Sequence, residues 1–216
     1  MRIFITKDPE DLIPELQVLQ QSGALFAKSL LTFEALPFAC QTTAEVIFFG
    51  SIRAADFFFA QCKHDGLIAC AGLETAKKIA EKHHKEVHFI AQQSGNPEQE
   101  AKRFATWRTG KKTLFPLAEA SLRTYSKAIP AQDCIEICVY RTGFNAETIA
   151  PADVYAFTSP SNVDAFFSHN KWPQNAKAIA WGNSTANALA KQGIEVLVCL
   201  QHDQQQELLT WLHHQL

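Results

Sequence analysis

Four short turns in this sequence combine glycine or hydroxyl residues in a way that suits the binding of anions. Two are serine turns, at Ser51 and Ser159, and each lies between an apolar run and an amphipathic one. Two are glycine turns, G-L-E-T at 72–75 and G-N-S-T at 182–185. Hydroxyl residues cap helices, and the free amide groups of a helix's first turn bind carboxylates and phosphates without a basic side chain. We therefore expect an anionic ligand at these turns, although each would also serve as an ordinary helix start.

Signatures of several other chemistries are missing from the sequence. The cysteines at 40, 62, 70, 134, 138 and 199 form no C-x-x-C pair. They predict reduced, mostly buried thiols instead of a disulfide framework or a zinc site. No dinucleotide G-x-G-x-x-G, Walker lysine loop or G-x-S-x-G elbow is present. We predict neither a metal nor a cofactor.

Composition limits the classes of protein that remain. The 216 residues are 47% apolar and 19% charged, which excludes disorder, collagen and a coiled coil. The 20 basic and 22 acidic side chains give a net charge of -2, without the basic face of a nucleic-acid binder. Neither a signal-peptide pattern nor an apolar run of about 18 residues is present, so we expect a cytoplasmic protein that does not bind membranes. Any anionic ligand must therefore be bound by a few groups close to it and not by a basic surface.

Short apolar runs alternate with amphipathic segments along the chain, which is the pattern of parallel sheets covered by helices. Because sheets commonly have about four to six strands, ten predicted strands indicate two sheets of five. A further helix is predicted around Tyr125, with Leu122 and Ile129 on its apolar stripe. The predicted strands lie at 3–6, 30–35, 46–49, 66–71, 86–91, 113–117, 135–141, 154–158, 178–181 and 195–200.

An internal repeat indicates two similar halves. The segment VIFFGSIRAADFFF, which starts at Val46, is similar to VYAFTSPSNVDAFF, which starts 108 positions later at Val154. Each copy contributes three strands and each remaining stretch contributes two, so five-stranded domains can form in two ways. Sequential pairing would divide the chain near residue 110, whereas nested pairing would insert one domain into the other between Pro37 and Thr142. The residues themselves leave both pairings open.

The order of these segments resembles the uroporphyrinogen-III synthase family over nearly the whole chain. The resemblance implies an α/β protein with two similar five-stranded, parallel, flavodoxin-like domains joined by a short two-strand connection. The inserted domain would span 37–142, the discontinuous domain would combine 1–36 with 143–216, and the active cleft would lie between them. The segments that carry the resemblance are LLTFEALP, VIFFGSIRAADFFF, the turn at 72–76, LFPLAEASLRTYSKAI, CVYRT at 138–142, FTSPSNVDAFF and the turn at 182–186.

The resemblance also implies an activity. Members of the family convert hydroxymethylbilane, a linear tetrapyrrole with eight carboxylates, into uroporphyrinogen III by loss of water, inversion of ring D and ring closure. No cofactor takes part, so proximity and electrostatic stabilisation must control the geometry of the reaction. A monomer is implied that binds this small molecule and makes at most transient contact with the preceding pathway enzyme, with no nucleic acid and no membrane as partner.

The family's functional residues can be carried over one by one. Tyr140, in the segment VYRT, matches the family's tyrosine and is expected to help the hydroxyl leave by donating a hydrogen bond or a proton. Arg53 is expected to pair with a substrate carboxylate, or else to be a solvated helix charge. The positions that match the family's cleft loops, and that we expect to bind substrate, are Thr6, Lys7, Ser51, Arg53, Gly72, Thr75, Ser159, Ser161, Gly182, Ser184 and Thr185.

Two positions depart from the family pattern. Lys7 stands where the opening strand commonly ends in arginine, which keeps the positive charge but loses the guanidinium fork. In the second glycine turn, Asn183 and Ser184 replace the usual proline and threonine. These departures leave a second function open, a non-catalytic two-domain clamp that binds a tetrapyrrole or another polyanionic metabolite.

Overall fold

The computed structural model describes residues 1–40, 43–92 and 96–215. These residues form an α/β fold with eleven strands and seven α-helices. The strands are β1 (Ile3–Ile5), β2 (Leu25–Ala27), β3 (Leu31–Ala35), β4 (Val46–Phe49), β5 (Leu67–Cys70), β6 (Phe89–Ile90), β7 (Thr113–Ala118), β8 (Cys134–Phe144), β9 (Val154–Phe157), β10 (Lys177–Trp181) and β11 (Val196–Leu200). The helices are α1 (Pro14–Gln21), α2 (Ile52–Phe59), α3 (Leu73–His83), α4 (Pro97–Trp107), α5 (Pro160–His169), α6 (Gly182–Lys191) and α7 (Gln204–His213).

The chain divides into two compact units, of which unit 1 comprises Met1–Thr32 and Gly143–Leu216. Its sheet has the strand order β11-β10-β9-β1-β2, and each neighbouring pair is parallel. If β1, β2, β9, β10 and β11 are numbered 1 to 5 along the chain, the sheet read from β2 has the order 2-1-3-4-5, which is the order of flavodoxin-like sheets. Apolar clusters cover both faces of the sheet, one around Ile5 and Leu208 and the other around Tyr155 and Phe166.

Unit 2 spans Phe33–Thr142. Its sheet has the order β3-β8-β7-β4-β5-β6, with β3 as an added edge strand. If β7 and β8 are counted before β4, the remaining five strands again have the order 2-1-3-4-5, so unit 2 is a circularly permuted form of the arrangement in unit 1. The central strand β4 reads VIFF and is buried throughout, because apolar side chains cover the sheet on both faces. The chain enters this unit through β3 and leaves it through β8.

The predicted fold class is confirmed, since the fold is α/β with two mostly parallel sheets, but the strand count was wrong. The three-residue strand β2 completes the sheet of unit 1, and its Leu-Phe-Ala pattern is too short to stand out from a turn. The strand predicted at 30–35 instead joins the other sheet as β3, which gives that sheet six strands. Residues 33–36, which the family resemblance placed in the discontinuous domain, lie in unit 2.

The helix predicted around Tyr125 does not form. Residues 119–130 make turns and a short 3-10 segment, Ser126–Ala128, after Arg123 takes a left-handed conformation with φ of 59°. Leu122 is 83% exposed, whereas the ring of Tyr125 stacks on Phe48 with 4.2 Å between ring centroids. Ile129 is also buried in the same cluster, so the apolar spacing reflects two anchoring side chains, Tyr125 and Ile129, beneath an irregular segment.

The cysteine prediction was wrong for one pair. Cys40 and Cys62 form a disulfide, with Cα atoms 5.7 Å apart, a separation typical of such bridges. Cys40 precedes β4 and Cys62 follows α2, so only the packing of the helix against the sheet brings the two together. The other four cysteines are free thiols. Burial raises the pKa of Cys70 and of Cys134 above the ordinary value for a thiol.

Among the described histidines only His64 is buried, in the turn between α2 and β5. Its Nε2 atom has no hydrogen-bond partner in the described part of the chain, and Gly66 lies against its ring. Burial lowers the pKa of His64, because it disfavours the charged imidazolium. The folded state therefore binds a proton less readily than the unfolded chain, whose histidines have a pKa near 6.5.

This difference predicts a pH-dependent stability. Below about pH 6.5 the unfolded state takes up a proton that folded His64 resists, so the free energy of unfolding should fall as the solution is acidified. We expect His64→Leu to lose less stability than the wild type between pH 7.5 and 5.5, as measured by urea unfolding. The exposed His202→Leu variant is the control and should follow the wild type. Identical pH profiles for the two variants would contradict the assignment.

Candidate active site

The serine turn of unit 1 follows β9 and is stabilised by a network of polar side chains. The Ser159 hydroxyl caps α5 by accepting a hydrogen bond from the backbone N–H of Asn162 at 3.2 Å. The buried Asn162 side chain accepts from the N–H of Leu30 and donates to the hydroxyls of Thr158 and Ser159. Ser161, by contrast, is exposed. The turn is thus a rigid platform on which Ser161 faces solvent.

Thr6 ties the ends of two neighbouring strands together. Its hydroxyl accepts a hydrogen bond from the N–H of Thr158 at 2.9 Å, and its carbonyl accepts from the Thr158 hydroxyl at 2.6 Å. Thr6 is only 1% exposed. We therefore assign its side chain a structural role, since it aligns the carboxyl ends of β1 and β9 and does not face solvent.

The glycine turn of unit 1 begins α6 without a side-chain cap. Gly182 has a φ of 79°, a left-handed conformation that favours glycine. The Thr185 hydroxyl is buried and donates to the carbonyl of Trp181 at 2.8 Å, so it supports the turn and is not available to donate to a ligand. Ser184 is exposed. The first-turn amides, which have no partner within the helix, remain the groups that suit an anion here.

The two departures from the family pattern lie at this same edge of the sheet. The amide oxygen of Asn183 accepts a hydrogen bond from Gln201 Nε2 at 3.0 Å, which links the turn to the end of β11. Lys7 follows β1, and its Nζ atom lies 5.5 Å from the centre of the Trp181 ring, a cation–π contact. A positive charge is thus retained beside the glycine turn.

The serine turn of unit 2 has the same local geometry as its counterpart. The Ser51 hydroxyl caps α2 by accepting from the N–H of Ala54 at 3.2 Å. Two residues later, the Arg53 guanidinium carbon lies 3.4 Å from the centre of the Phe33 ring. A guanidinium that contacts an aromatic ring through its central carbon can still donate from its N–H groups to a carboxylate.

The glycine turn of unit 2 opens into a pocket of about 600 Å³ at the ends of β5 and β6. Gly72 precedes α3 without a side-chain cap, and Thr75 is partly exposed. Leu73 is 57% exposed and gives the pocket an apolar wall beside the free first-turn amides. The pocket therefore combines donors for an anion with an apolar surface that suits a ring. Its lining residues are Gly72, Leu73, Glu74, Thr75, Ile90, Ala91 and Gln92.

Tyr140 lies on β8, and its ring is packed while its hydroxyl is unpaired. The residue is 8% exposed, with the ring of Phe57 stacked on it at 5.2 Å and the edge of Phe33 at 6.1 Å. Within the described residues the hydroxyl has no hydrogen-bond partner, yet it is not among the buried unpaired atoms, so solvent reaches it. A phenol held in this way can donate to a ligand.

The described residues contain no group of three or more histidine, cysteine or acidic side chains placed to hold a metal ion. No helix in the described ranges is long and apolar enough to cross a membrane. The groups that the turns and their surroundings present are backbone amides, hydroxyls and the Tyr140 phenol, together with the charges of Lys7 and Arg53.

Fold and turns together define a class, that of α/β proteins built from two doubly wound units with polar helix-start turns at the carboxyl ends of their parallel strands. The chain belongs to the uroporphyrinogen-III synthase HemD family, because the model of that family matches residues 19–209, most of its length. The family's activity is that of uroporphyrinogen-III synthase, a cyclising hydro-lyase. The family predicted from the sequence is thus confirmed.

Solved structures agree with this assignment at the level of the fold. A uroporphyrinogen-III synthetase from Helicobacter pylori 26695 superposes with a TM-score of 0.72 at 20% identity, over 98% of this chain and 100% of that one. A mutant uroporphyrinogen III synthase from the extremely thermophilic bacterium Thermus thermophilus superposes with a TM-score of 0.61 at 13% identity, over 99% and 98% of the two chains. Among curated protein sequences the chain has no significant match.

Sequence reasoning missed several residues that shape these turns. Thr158 and Asn162 organise the serine turn of unit 1, and Phe57 and Phe33 pack on Tyr140. The local spacing offered one usable signal, because Asn162 lies three positions after Ser159, where a polar side chain can bond back to its cap. The contacts of Phe33 are non-local and left no such signal.

The two glycine turns provide a matched pair for a test of backbone strain. Gly182 has a left-handed φ of 79°, whereas Gly72 has an extended φ of 176°, and a Cβ atom at either position would meet nothing within 4 Å. We expect Gly182→Ala to destabilise the protein by about 1–2 kcal/mol and Gly72→Ala to have little effect, measured by urea unfolding. Equal losses in the two variants would show that strain is not the reason for glycine at 182.

Proposed function

We propose that this chain carries out its family's reaction, the dehydration and cyclisation of hydroxymethylbilane to uroporphyrinogen III with inversion of ring D, through the turns and the tyrosine described above. The family match over residues 19–209 carries the proposal. The residue roles that follow are supported by geometry, since the turns lie at the carboxyl ends of parallel strands, where ligands of such sheets bind. Tyr140 lies within β8 but pairs with Ala118, the last residue of β7.

Tyr140 is the residue proposed to start the reaction. Its hydroxyl donates a hydrogen bond or a proton to the terminal hydroxyl of the substrate, the carbon–oxygen bond breaks, and water leaves. The electrophilic methylene carbon is then attacked by the α-carbon of ring D that already carries the bridge to ring C, which gives a spiro intermediate. The bond from that carbon to the bridge breaks, and the released bridge carbon bonds to the other α-carbon of ring D, so that the ring is inverted and the macrocycle closes. The ring carbon that forms the closing bond loses a proton, which can return to the phenolate, so the net change is the loss of one water molecule.

Backbone amides are the groups proposed to hold most substrate carboxylates. The uncapped helices α3 and α6 each present first-turn amides next to an exposed or partly exposed hydroxyl, that of Thr75 or Ser184. Lys7 and Arg53 add one positive charge near the turns of each unit. Preorganised amides need no reorganisation when the substrate binds, which suits an enzyme that must fix a flexible chain.

The two units are proposed to act as the two domains of the enzyme, and each is proposed to supply turns that bind carboxylates of the substrate. Both units supply turns from the same chain, so a second copy is not needed to complete the set, and we propose a monomer. A cytoplasmic location and transient contact with the enzyme that supplies the reactive substrate complete the proposal.

The isomer of the product tests the function directly. Purified protein incubated with freshly generated hydroxymethylbilane should yield uroporphyrinogen III, resolved from the type I isomer by chromatography after oxidation. Because the uncatalysed chain closes to type I, ring-D inversion reports on the enzyme itself. Type I alone, formed at the rate without protein, would contradict the function, and tight binding of product without turnover would favour a non-catalytic clamp.

The role of Tyr140 is tested by removal of its hydroxyl. We expect Tyr140→Phe to lower kcat by about 10²- to 10⁴-fold, the range typical of a lost general acid, while the ring and its packing remain. Tyr125→Phe makes the same chemical change against Phe48, in the cluster on the other face of the sheet, and should leave kcat unchanged. Full activity of Tyr140→Phe would exclude proton donation by this residue.

A further inference from the structure

Two aromatic side chains from different elements contact the ring of Tyr140. Phe57, on α2, stacks on it with 5.2 Å between ring centroids and 17° between ring planes. Phe33, on β3, meets it edge to face at 6.1 Å and 68°. The tyrosine ring is thus restrained by a helix and by a neighbouring strand, while its hydroxyl remains unpaired within the described residues.

A local irregularity in β8 makes such restraint necessary. Strands β7 and β8 are in register up to Leu117 and Cys138, but Ala118 then pairs with Tyr140, so Val139 is an extra residue. Ile135, Ile137 and Val139 alternate onto one face of the sheet, and Tyr140 packs in the same cluster although strict alternation would put it on the other face. Strand geometry alone therefore does not set the direction of this ring, and bulges of this kind commonly re-aim side chains.

Helix α2 contacts both Phe33 and Tyr140. Arg53 and Phe57 are four residues apart and lie on one face of the helix. Arg53 covers Phe33 at 3.4 Å, and Phe57 covers Tyr140. The order of contacts is therefore Arg53 on Phe33, Phe33 on Tyr140, and Tyr140 on Phe57, which links a substrate-facing charge to the tyrosine through one packed row.

The internal repeat shows that the fold itself does not need an aromatic ring at position 57. In the copy that starts at Val154, the equivalent residue is Ala165, whereas Phe58 and Phe59 are matched by Phe166 and Phe167. Phe58 and Phe166 are both 1% exposed core residues. Phe57 is the member of this trio that differs between the copies, and it lies in the unit that carries Tyr140.

We propose that Phe57 is a positioning residue of the synthase reaction, which fixes the ring of Tyr140 so that its hydroxyl points at the leaving group. The inference rests on the proposed function of Tyr140. Phe57 touches the tyrosine and acts on the substrate only through it. Removal of the Phe57 ring therefore matters for catalysis only as long as the Tyr140 hydroxyl is present.

A double-mutant cycle tests this dependence. The variants are Phe57→Ala, which installs the residue of the repeat, Tyr140→Phe, and the combination of the two. We expect Phe57→Ala to lower kcat by about tenfold to a hundredfold with KM nearly unchanged, and to have no further effect in the Tyr140→Phe background. Phe57→Leu, which keeps apolar volume without a planar ring, should show a smaller loss of the same kind and guards against an unfolded Phe57→Ala protein.

The control is Phe59→Ala on the same helix. Phe59 contacts Phe49 and His83 instead of Tyr140, so its loss should lower the unfolding midpoint without the kcat dependence on Tyr140. If Tyr140→Phe is impaired but Phe57→Ala and Phe57→Leu have wild-type kcat, or lower it equally in both backgrounds, the positioning role is overturned while the proposed function stands. If Tyr140→Phe is fully active, the proposed role of Tyr140 fails and the positioning role fails with it.

Discussion

The structure depends on one constraint, which is that parallel strands covered on both faces must be apolar along their length and can place polar groups only at their ends. In β4 and β9 all four residues are buried, and the first polar side chains appear at Ser51 and at Thr158 and Ser159. Because β4 and β9 are parallel to the strands on either side of them, these strand ends gather along one edge of each sheet. Every group proposed to bind substrate in a given unit follows from this concentration of turns.

The same constraint explains how a protein of net charge -2 could bind the proposed substrate, which has eight carboxylates. The turns at Gly72 and Gly182 start helices without side-chain caps, so their first-turn amides are left for an external acceptor. At the serine turns, by contrast, Ser51 and Ser159 already satisfy one amide each. In the proposed binding mode, backbone donors with a fixed geometry take the place of a large basic patch, and side-chain charge is supplied only at a few positions such as Lys7 and Arg53.

Tyr140 shows how the fold combines rigidity with an available polar atom. Its ring belongs to an apolar cluster, which restrains it, but the bulge at Val139 and the aromatic neighbours leave the hydroxyl without a partner among the described residues. A hydroxyl that is paired inside the protein would first have to break that bond before it could assist a leaving group. Thr6 and Thr185 have hydroxyls that are paired inside the protein. The Thr6 hydroxyl joins the ends of β1 and β9, and the Thr185 hydroxyl holds the glycine turn in place.

The sequence by itself determined the α/β class, the repeat, the four turns and the family, because these depend on local patterns: apolar runs, helix starts and the order of segments along the chain. Tertiary structure alone decided the features that rest on contacts between distant residues. Strand β2 is three residues long and is a strand only because β1 pairs with it, and Cys40 meets Cys62 only because α2 packs on its sheet. Contacts between distant residues likewise decide how Tyr125 packs on Phe48 and how Phe57 restrains the ring of Tyr140. Local pattern specifies most of the long elements and where they begin, whereas packing between elements specifies register, edges, the shortest strand and the direction of the Tyr140 ring.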